Sequence, residues 1–208
     1  MTEDEAKAFL TEGLNVSRET FERLDALAKL VIAENEAQNL ISAATIPNIW
    51  ARHIVDSAQL ALFAPQKGVW LDLGSGAGFP GIIIALIRDE PMILVESRRK
   101  RVDFLQRCLE WLSLSHVRLY GGPLENMPTE NVDIISARAF APLPKLLRLA
   151  HRFSNDRTTW ILPKGKSAKE ELALAQKTWQ GVLDMKASYT EAGAHIIVAS
   201  AIRPMRKK

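Results

Sequence analysis

A glycine-rich stretch in the first half of the chain has the residue types and spacing of a ligand-binding loop. It reads LDLGSGAGFPG, so that Asp72, Gly74, Gly76 and Gly78 alternate without a break. Glycines permit positive φ angles and let a ligand approach the backbone without a Cβ in its way. Pro80 suits the first turn of a helix, where its missing N–H is not needed. The stretch therefore predicts a turn from a strand into a helix, with a ligand lying against its backbone.

Two classes of ligand fit this loop. Gly76, Gly78 and Gly81 satisfy the G-x-G-x-x-G pattern of dinucleotide binding, whereas the alternation from Asp72 onward fits the D-x-G-x-G-x-G loop that binds S-adenosylmethionine. Glu96 ends the next predicted strand, where a carboxylate accepts hydrogen bonds from the ribose of either ligand. The unbroken alternation favours S-adenosylmethionine. An NAD(P)-dependent oxidoreductase remains the alternative, although the chain is short for a separate substrate domain.

The elements that would position this loop alternate between strand and helix. Five short apolar runs predict buried strands, with helices between them: VWLDLG, MILVE, VRLY, VDIISA and TTWILP. Two further β-rich runs, GVLDMKASYT and AHIIVASAI, are joined by a turn too short for a crossover helix, so we expect them to pair antiparallel. The pattern predicts an α/β fold with a Rossmann-like, doubly wound sheet, mostly parallel with a C-terminal antiparallel hairpin. This is the class I S-adenosylmethionine-dependent methyltransferase version of that fold.

The segment before this sheet is predicted to be helical. After Ser17, a candidate N-cap, apolar residues recur at helical spacing: Phe21, Leu24, Ala28 and Val31. A further helix is predicted from about Ile46 to Leu62. We therefore expect an N-terminal helical extension over residues 1–64 and a methyltransferase domain over residues 65–208.

Charge and cysteine content narrow the class of protein. Residues 1–64 carry 5 basic and 10 acidic side chains, a net charge of −5, and the remainder carries 22 and 14, a net charge of +8. A phosphate-bearing partner would therefore meet the body that follows the helices. Cys108 is the only cysteine, which indicates a reducing compartment, and the four histidines lack zinc-site spacing. With no signal peptide and no long apolar run, we expect a cytoplasmic monomer without a membrane segment or a metal.

Several motifs occur together in the order typical of one family. They are NLIS at 39–42, WxRHIxDS at 50–57, LDLGSGAGFPG, Glu96-Ser97 with Lys100-Arg101 and Phe104-Leu105, SARA at 136–139, and Lys164-Gly165. On these motifs the chain resembles the small-subunit ribosomal RNA methyltransferase G family between about residues 35 and 166. Ser42 stands where the family usually has threonine, which keeps the hydroxyl group. The last 40 residues match no motif of the family.

The resemblance implies an activity and a set of binding residues. The family methylates N7 of a guanine (guanine 527, in the 530 loop) of 16S rRNA with S-adenosylmethionine. The partner would be 16S rRNA, the small ribosomal subunit or its assembly intermediate. Cofactor contacts carried over from the family are Gly74, Phe79, Leu124, Glu125 and Arg138. To these the loop pattern itself adds Gly76, Gly78 and Glu96.

Methylation at N7 requires little from the protein chemically. N7 carries a lone pair and no proton, so that neither a general base nor a covalent intermediate is needed, and rate comes from positioning and electrostatics. The sequence agrees, because it lacks the Asn/Asp-Pro-Pro-Tyr/Phe segment of exocyclic-amine methyltransferases and has no cysteine pair. Cys108 is expected to be buried on an apolar helix face. A non-catalytic ribosome- or RNA-binding protein that retains the fold, and a methyltransferase for a small molecule, remain alternatives.

No residue is assigned as catalytic with certainty, and three are candidates: Arg138, His53 and Lys164. Arg138 follows the fourth predicted strand, where it would bind the cofactor or lie near the target base. Lys164 and Lys166, like the basic run at 98–101, would contact RNA phosphates. His53 is expected to pair with Asp56 or Ser57 on its own helix, either as a structural cap over the cofactor cleft or in contact with the substrate.

Overall fold

The computed structural model describes residues 1–65 and 67–205. Its strands are β1 (Trp70–Leu73), β2 (Met92–Glu96), β3 (Val117–Gly121), β4 (Ile134–Ala137), β5 (Thr159–Lys164), β6 (Trp179–Ala187) and β7 (His195–Pro204). Its α-helices are α1 (Glu3–Ala8), α2 (Arg18–Glu34), α3 (Asp56–Ala58), α4 (Gly81–Ile87), α5 (Arg99–Trp111), α6 (Leu143–Ala150) and α7 (Ala168–Ala175). Short 3₁₀ or π-helical segments cover Phe9–Gly13, Ala43–Asn48, Trp50–Val55, Gln59–Phe63, Leu124–Asn126 and His151–Phe153.

The seven strands form one sheet in the order β3-β2-β1-β4-β5-β7-β6. All neighbours from β3 to β5 are parallel, and β7 runs antiparallel to both β5 and β6. The predicted doubly wound sheet and its C-terminal antiparallel hairpin are confirmed. The strand order reverses between β1 and β4, and in such sheets ligands bind beyond the carboxyl ends of the strands at that point.

The N-terminal helices cover one face of this sheet. The hydroxyl of Ser17 accepts a hydrogen bond from the N–H of Thr20, which confirms it as the N-cap of α2. Leu24 of α2 and Ile54 belong to the same buried cluster as Ile82 of α4. Because the helices and the sheet share a core, the division into 1–64 and 65–208 stays a prediction; residues 66 and 206–208 lie outside the described residues.

The opposite face of the sheet is covered by α6 and by the segments around it. Leu143, Leu146 and Leu147 of α6 pack in a second buried cluster that includes Trp160 of β5. Helix α6 presents Leu143 and Leu147, four residues apart, to the sheet, which is the spacing of a helix with one apolar face. The two clusters together fix the strand ends at which the predicted site residues lie.

Two element boundaries differ from the sequence prediction. The predicted helix from Ile46 to Leu62 is instead a succession of 3₁₀, π-helical and α-helical turns, with Pro47 inside the first of them. Strand β6 begins at Trp179, two residues before the predicted β-rich run GVLDMKASYT, because Trp179 pairs with Pro204 of β7. Cys108 is buried as predicted, and this burial raises the pKa of its thiol to about 12.

None of the helices in the described residues is long and apolar enough to cross a membrane.

Candidate functional site

The glycine loop is held in place by the end of β2. Gly74, Gly76 and Gly78 have φ angles of +70°, +57° and +90°, which L side chains rarely adopt. The N–H of Gly74 donates to the carbonyl of Val95 at 2.8 Å, and the N–H of Gly76 donates to the Glu96 carboxylate at 3.0 Å. The alternating glycines therefore bend the chain between β1 and α4 as the sequence predicts.

Asp72 supports the loop from below. Its side chain is fully buried and accepts hydrogen bonds from the N–H of Gly81 at 3.1 Å and from the hydroxyl of Ser136 at 2.7 Å. The Trp70 indole N–H donates to the same hydroxyl at 2.8 Å. Burial raises the pKa of Asp72 to about 6, against the lowering effect of these hydrogen bonds. The acidic residue of the motif thus ties β1 to α4 and β4.

Glu96 fixes the turn that follows β2. Its carboxylate accepts hydrogen bonds from the N–H groups of Ser97 and Arg98, both at 2.8 Å, in addition to that of Gly76. The Arg101 guanidinium lies 3.9 Å away. With only 4% of its surface exposed, Glu96 is preorganised by backbone donors before any ligand is present.

Three of the predicted cofactor residues meet in one cavity of about 230 Å³, called the loop cavity. Its wall includes Gly74, Glu96, Ser97, Leu124, Ala139 and Phe140. Glu125 is exposed and lies outside this lining, as do Gly76, Gly78 and Phe79. The cofactor contacts of all these residues stay predictions, but Gly74, Glu96 and Leu124 come together where the sequence analysis expects them.

A second cavity of about 460 Å³ lies beside the first and is called the hairpin cavity, because the turn between β6 and β7 closes one side of it. Its charged lining residues are Asp56, Arg138, Lys164, Glu171 and Glu191. Ala139 and Phe140 line both cavities. Two of the three candidate residues, Arg138 and Lys164, therefore face the hairpin cavity rather than the loop cavity.

Arg138 is the centre of a network of side chains. Its guanidinium carbon lies 5.3 Å from the centre of the Phe79 ring, within reach of a cation–π interaction. It donates to Nδ1 of His53 at 3.0 Å and to the Asp56 carboxylate at 3.4 Å. Burial lowers the pKa of Arg138, and the nearby Asp56 charge acts against that change. An arginine so placed stays protonated and holds three elements together.

The protonation of His53 follows from its partners. Arginine only donates, so Nδ1 of His53 is the acceptor, and Nε2 carries the proton that it donates to the Thr45 hydroxyl at 2.7 Å. Thr45 in turn donates to the carbonyl of Ser42 at 2.7 Å. Burial lowers the pKa of His53 to about 3, and the charges of Arg138 and Arg52 contribute. His53 is neutral, and both ring nitrogens are occupied.

The expected pairing of His53 with Asp56 or Ser57 is wrong. The Ser57 hydroxyl donates to the backbone carbonyl of His53 at 2.6 Å, while Asp56 accepts from Arg138 and, at 2.8 Å, from the Thr190 hydroxyl. The physical reason is that residues 50–55 are π-helical, which changes the angular spacing of side chains from that of an α-helix. The side-chain partners of His53 are instead Thr45, eight residues earlier, and Arg138, 85 residues later.

Lys164 lies in the wall of the hairpin cavity and is not an exposed cation. Its amino group lies 2.8 Å from the Glu171 carboxylate and 2.9 Å from the carbonyl of Ala141, and its side chain is 10% exposed. A phosphate contact by Lys164, which stays a prediction, would require this pair to open. Lys166 and the run of Arg98, Arg99 and Lys100 are exposed, in keeping with the predicted phosphate contacts.

Several residues of the site were missed by the sequence analysis. Thr45, Phe140, Glu171, Thr190 and Glu191 had no motif that identified them, although Phe140 is only two residues from Arg138. Arg52 and Glu191 form a half-exposed ion pair at 2.6 Å. Like the hydrogen bond from Thr190 to Asp56, this pair joins the turn between β6 and β7 to the helical segment that contains residues 52–56. Residues 1–65 and 67–205 contain no group of three or more His, Cys, Asp or Glu side chains placed to hold a metal ion.

Comparisons with known proteins agree on one family. The family model for rRNA small subunit methyltransferase G (GidB) matches residues 20–197. A protein named ribosomal RNA small subunit methyltransferase G from Rhizorhabdus wittichii is 50% identical over 211 residues, which cover 100% of this chain and 96% of that protein. The protein of the same name from Zymomonas mobilis subsp. mobilis is 46% identical over 217 residues, covering 100% and 98%.

A solved structure gives independent support for the fold. A SAM-dependent methyltransferase from Aquifex aeolicus matches this chain with a TM-score of 0.59 over 74% of this chain and 92% of that one. At 14% sequence identity, the likeness concerns the architecture alone. The sheet described above is thus the class I Rossmann-like sheet.

Proposed function

The chain belongs to the rRNA small subunit methyltransferase G family, and from this premise we propose that it methylates N7 of a guanine in 16S rRNA. Methyl transfer from S-adenosylmethionine to small-subunit rRNA follows from the family. The finer parts of the proposal are the atom, N7, and the position, guanine 527 in the 530 loop. An NAD(P)-dependent oxidoreductase has no support from the relatives.

The residues around the glycine loop fit S-adenosylmethionine. A Cβ added to Gly76 would have no atom outside its own neighbours closer than 3.7 Å, an ordinary van der Waals distance, so nothing crowds this backbone. Gly74 and Glu96 line the adjoining loop cavity. When bound, S-adenosylmethionine supplies a methyl group whose bonding electrons stay on sulfur while a lone pair of the acceptor forms the new bond.

The observation that carries the choice of N7 is that the candidate bases beside Arg138 are already engaged. Both ring nitrogens of His53 have partners, and the carboxylates of Asp56, Glu171 and Glu191 are each paired with a cation. An acceptor that must lose a proton needs a free base within hydrogen-bond reach. Guanine N7 has no proton to lose, so it is the acceptor this arrangement suits.

The charges also suit the product. Methylation of N7 leaves the base with a positive charge, which unpaired cations beside it would oppose. Both cations in the wall of the hairpin cavity are paired with carboxylates, Arg138 with Asp56 and Lys164 with Glu171. The protein itself thus positions the base in the hairpin cavity, where the cations are already paired with carboxylates.

The test is methylation of small ribosomal subunits that lack this modification. The purified protein is incubated with them and with labelled S-adenosylmethionine, and the digested rRNA is examined by nucleoside mass spectrometry. We expect 7-methylguanosine in the fragment containing the 530 loop, at a rate that is flat between about pH 7 and about pH 9 because no proton is removed. Label on another atom, or on a small molecule and not on rRNA, would overturn the proposal.

One variant makes this test sharper. His195 also lines the hairpin cavity, and its Nδ1 has no hydrogen-bond partner among the described residues, but that atom is buried and does not face the cavity. If the acceptor is N7, His195→Gln retains the flat pH profile and most of the turnover. A base-dependent reaction would instead lose about 100-fold or more in kcat in this variant.

A further inference from the structure

Phe140 is the partition between the two cavities. It lines both of them, and its Cδ2 lies 2.7 Å from the position that a Cβ on Gly74 would take. Its ring is therefore directly over the start of the glycine loop. A methyl group that passes from a donor in the loop cavity to an acceptor in the hairpin cavity must pass beside this ring.

The local backbone aims Phe140 and Arg138 in different directions. Ala139, between them, has a φ of +53°, a left-handed conformation that is uncommon outside glycine. On one side of it Arg138 contacts His53 and Asp56; on the other side Phe140 covers Gly74. A strained residue at a ligand cleft persists only where its surroundings enforce it.

The segment after Phe140 is fixed by hydrogen bonds. Lys164 donates to the carbonyl of Ala141, and the N–H of Leu143 donates to the Glu171 carboxylate at 2.7 Å. Phe140 itself is half-buried and has no ring partner among the described residues. An aromatic face held on a fixed backbone, beside a cavity and without a ring to stack on, is suited to stack on a ligand.

The hairpin cavity fits a nucleobase better than a phosphate. Its volume of about 460 Å³ lies in the range of small-molecule sites, about 300–1,000 Å³. Its two cations, Arg138 and Lys164, are each paired with a carboxylate, so that neither is free for an anion. Enzymes that modify a base take it out of the helical stack and hold it against aromatic side chains.

We infer that Phe140 is a base-positioning residue, whose ring stacks on the face of the target guanine in the hairpin cavity and turns N7 toward the loop cavity. This inference rests on the proposed function and adds to it the side chain that orients the acceptor. Stacking of one base on an aromatic ring is worth about 1–3 kcal/mol, which corresponds to about 5- to 150-fold in affinity.

The experiment compares Phe140→Leu with Phe140→Tyr, and uses Trp111→Leu as a matched control, since Trp111 is 59% exposed and lies outside both cavities. Kinetics are measured with small ribosomal subunits, and S-adenosylmethionine affinity by calorimetry. For Phe140→Leu we expect kcat/KM for the subunit, measured at saturating S-adenosylmethionine, to fall about tenfold or more, and the cofactor Kd, since Phe140 also lines the loop cavity, to rise by a clearly smaller factor. Phe140→Tyr restores kcat/KM to within about threefold, and Trp111→Leu behaves as the unaltered protein.

A second readout does not depend on methylation. An RNA fragment of the 530 loop carries 2-aminopurine at the target position, and its fluorescence is quenched when the base stacks on a ring. At saturating protein we expect lower fluorescence with the unaltered protein and with Phe140→Tyr than with Phe140→Leu. Equal quenching by all three, unchanged kinetics in Phe140→Leu, or a cofactor Kd that rises in parallel with the kinetic loss would each overturn the inference. Failure of the unaltered protein to form 7-methylguanosine would instead overturn the proposed function.

Discussion

The glycine loop and the Arg138 network are two halves of one cleft that are built in different ways. The loop is made by backbone geometry within residues 71–81 and is completed by one side chain, Glu96. The network is made by side chains from three separate parts of the sequence: Thr45, His53 and Asp56 from the first, Arg138 from the second and Thr190 from the third. The loop therefore depends on the absence of side chains, whereas the network depends on the presence of particular ones.

The largest effect is expected where the loop has no room at all. A Cβ at Gly81 would lie 2.2 Å from Cδ2 of Leu94 and 2.7 Å from the Asp72 carboxylate, both buried. Gly81→Ala should therefore lower the free energy of unfolding by about 3 kcal/mol or more, measured by urea denaturation. The control is Gly76→Ala, where the nearest atoms would be at an ordinary van der Waals distance of 3.7 Å and only the positive φ costs about 1 kcal/mol. Equal losses in the two variants would mean that the loop is not built on close contact.

The corresponding change in the network is Arg138→Ala. It removes the cation beside the Asp56 carboxylate and leaves Nδ1 of His53 without its donor, so we expect a loss of about 2 kcal/mol in unfolding free energy. The pKa of His53 should rise from about 3 toward the usual value, because the site opens to water and a positive charge is gone. Nuclear magnetic resonance of the imidazole protons follows that titration. A His53 pKa that stays near 3 would show that Arg138 does not shape this environment.

The two regions should respond to acid in opposite directions. The pKa of Asp72 is raised to about 6 in the folded protein, whereas its ordinary value is near 3.8. As the pH falls from about 6 to about 4, the folded protein therefore binds a proton that the unfolded chain does not, and the free energy of unfolding rises. The pKa of His53 is lowered to about 3, so its contribution is full above about pH 6.5 and is lost as the pH falls toward 3. Each slope reaches about 1.4 kcal/mol per pH unit.

These slopes are separated by removing one titrating group at a time. Relative to the unaltered protein, Asp72→Asn should lose stability as the pH falls from about 6 to about 4, and His53→Gln should gain it. Denaturant unfolding at several pH values measures both. Parallel curves for the two variants would contradict the burial that distinguishes the two groups.

The smallest effect is expected at the rim of the network. Arg52 and Glu191 form an ion pair whose side chains are 43% and 39% exposed, and exposed pairs contribute little to stability. A double-mutant cycle of Arg52→Ala and Glu191→Ala should give a coupling free energy of about 0.5 kcal/mol, lower at high salt. A coupling above about 2 kcal/mol would place this pair with the buried part of the network.

The sequence predicted the loop because its information is local. Alternating glycines after an apolar run determine a turn whatever surrounds it, and the same holds for the antiparallel pairing of β6 and β7 across a short turn. The network could not be predicted, because the partners of His53 are 8 and 85 positions away and the π-helical winding upsets the expected spacing. Phe140 lay next to a predicted residue, yet only the fold shows that its ring faces Gly74.

The position of β7 has a consequence for how the cleft is made during synthesis. Strand β7 follows β6 in the chain but lies between β5 and β6 in the sheet, so β6 has no neighbour to pair with until β7 has left the ribosome. Domains generally fold as units, so the hairpin cannot close its side of the cleft until residues 195–204 have been synthesised. The side of the cleft that contains Glu191 therefore depends on a strand made after Glu191 itself.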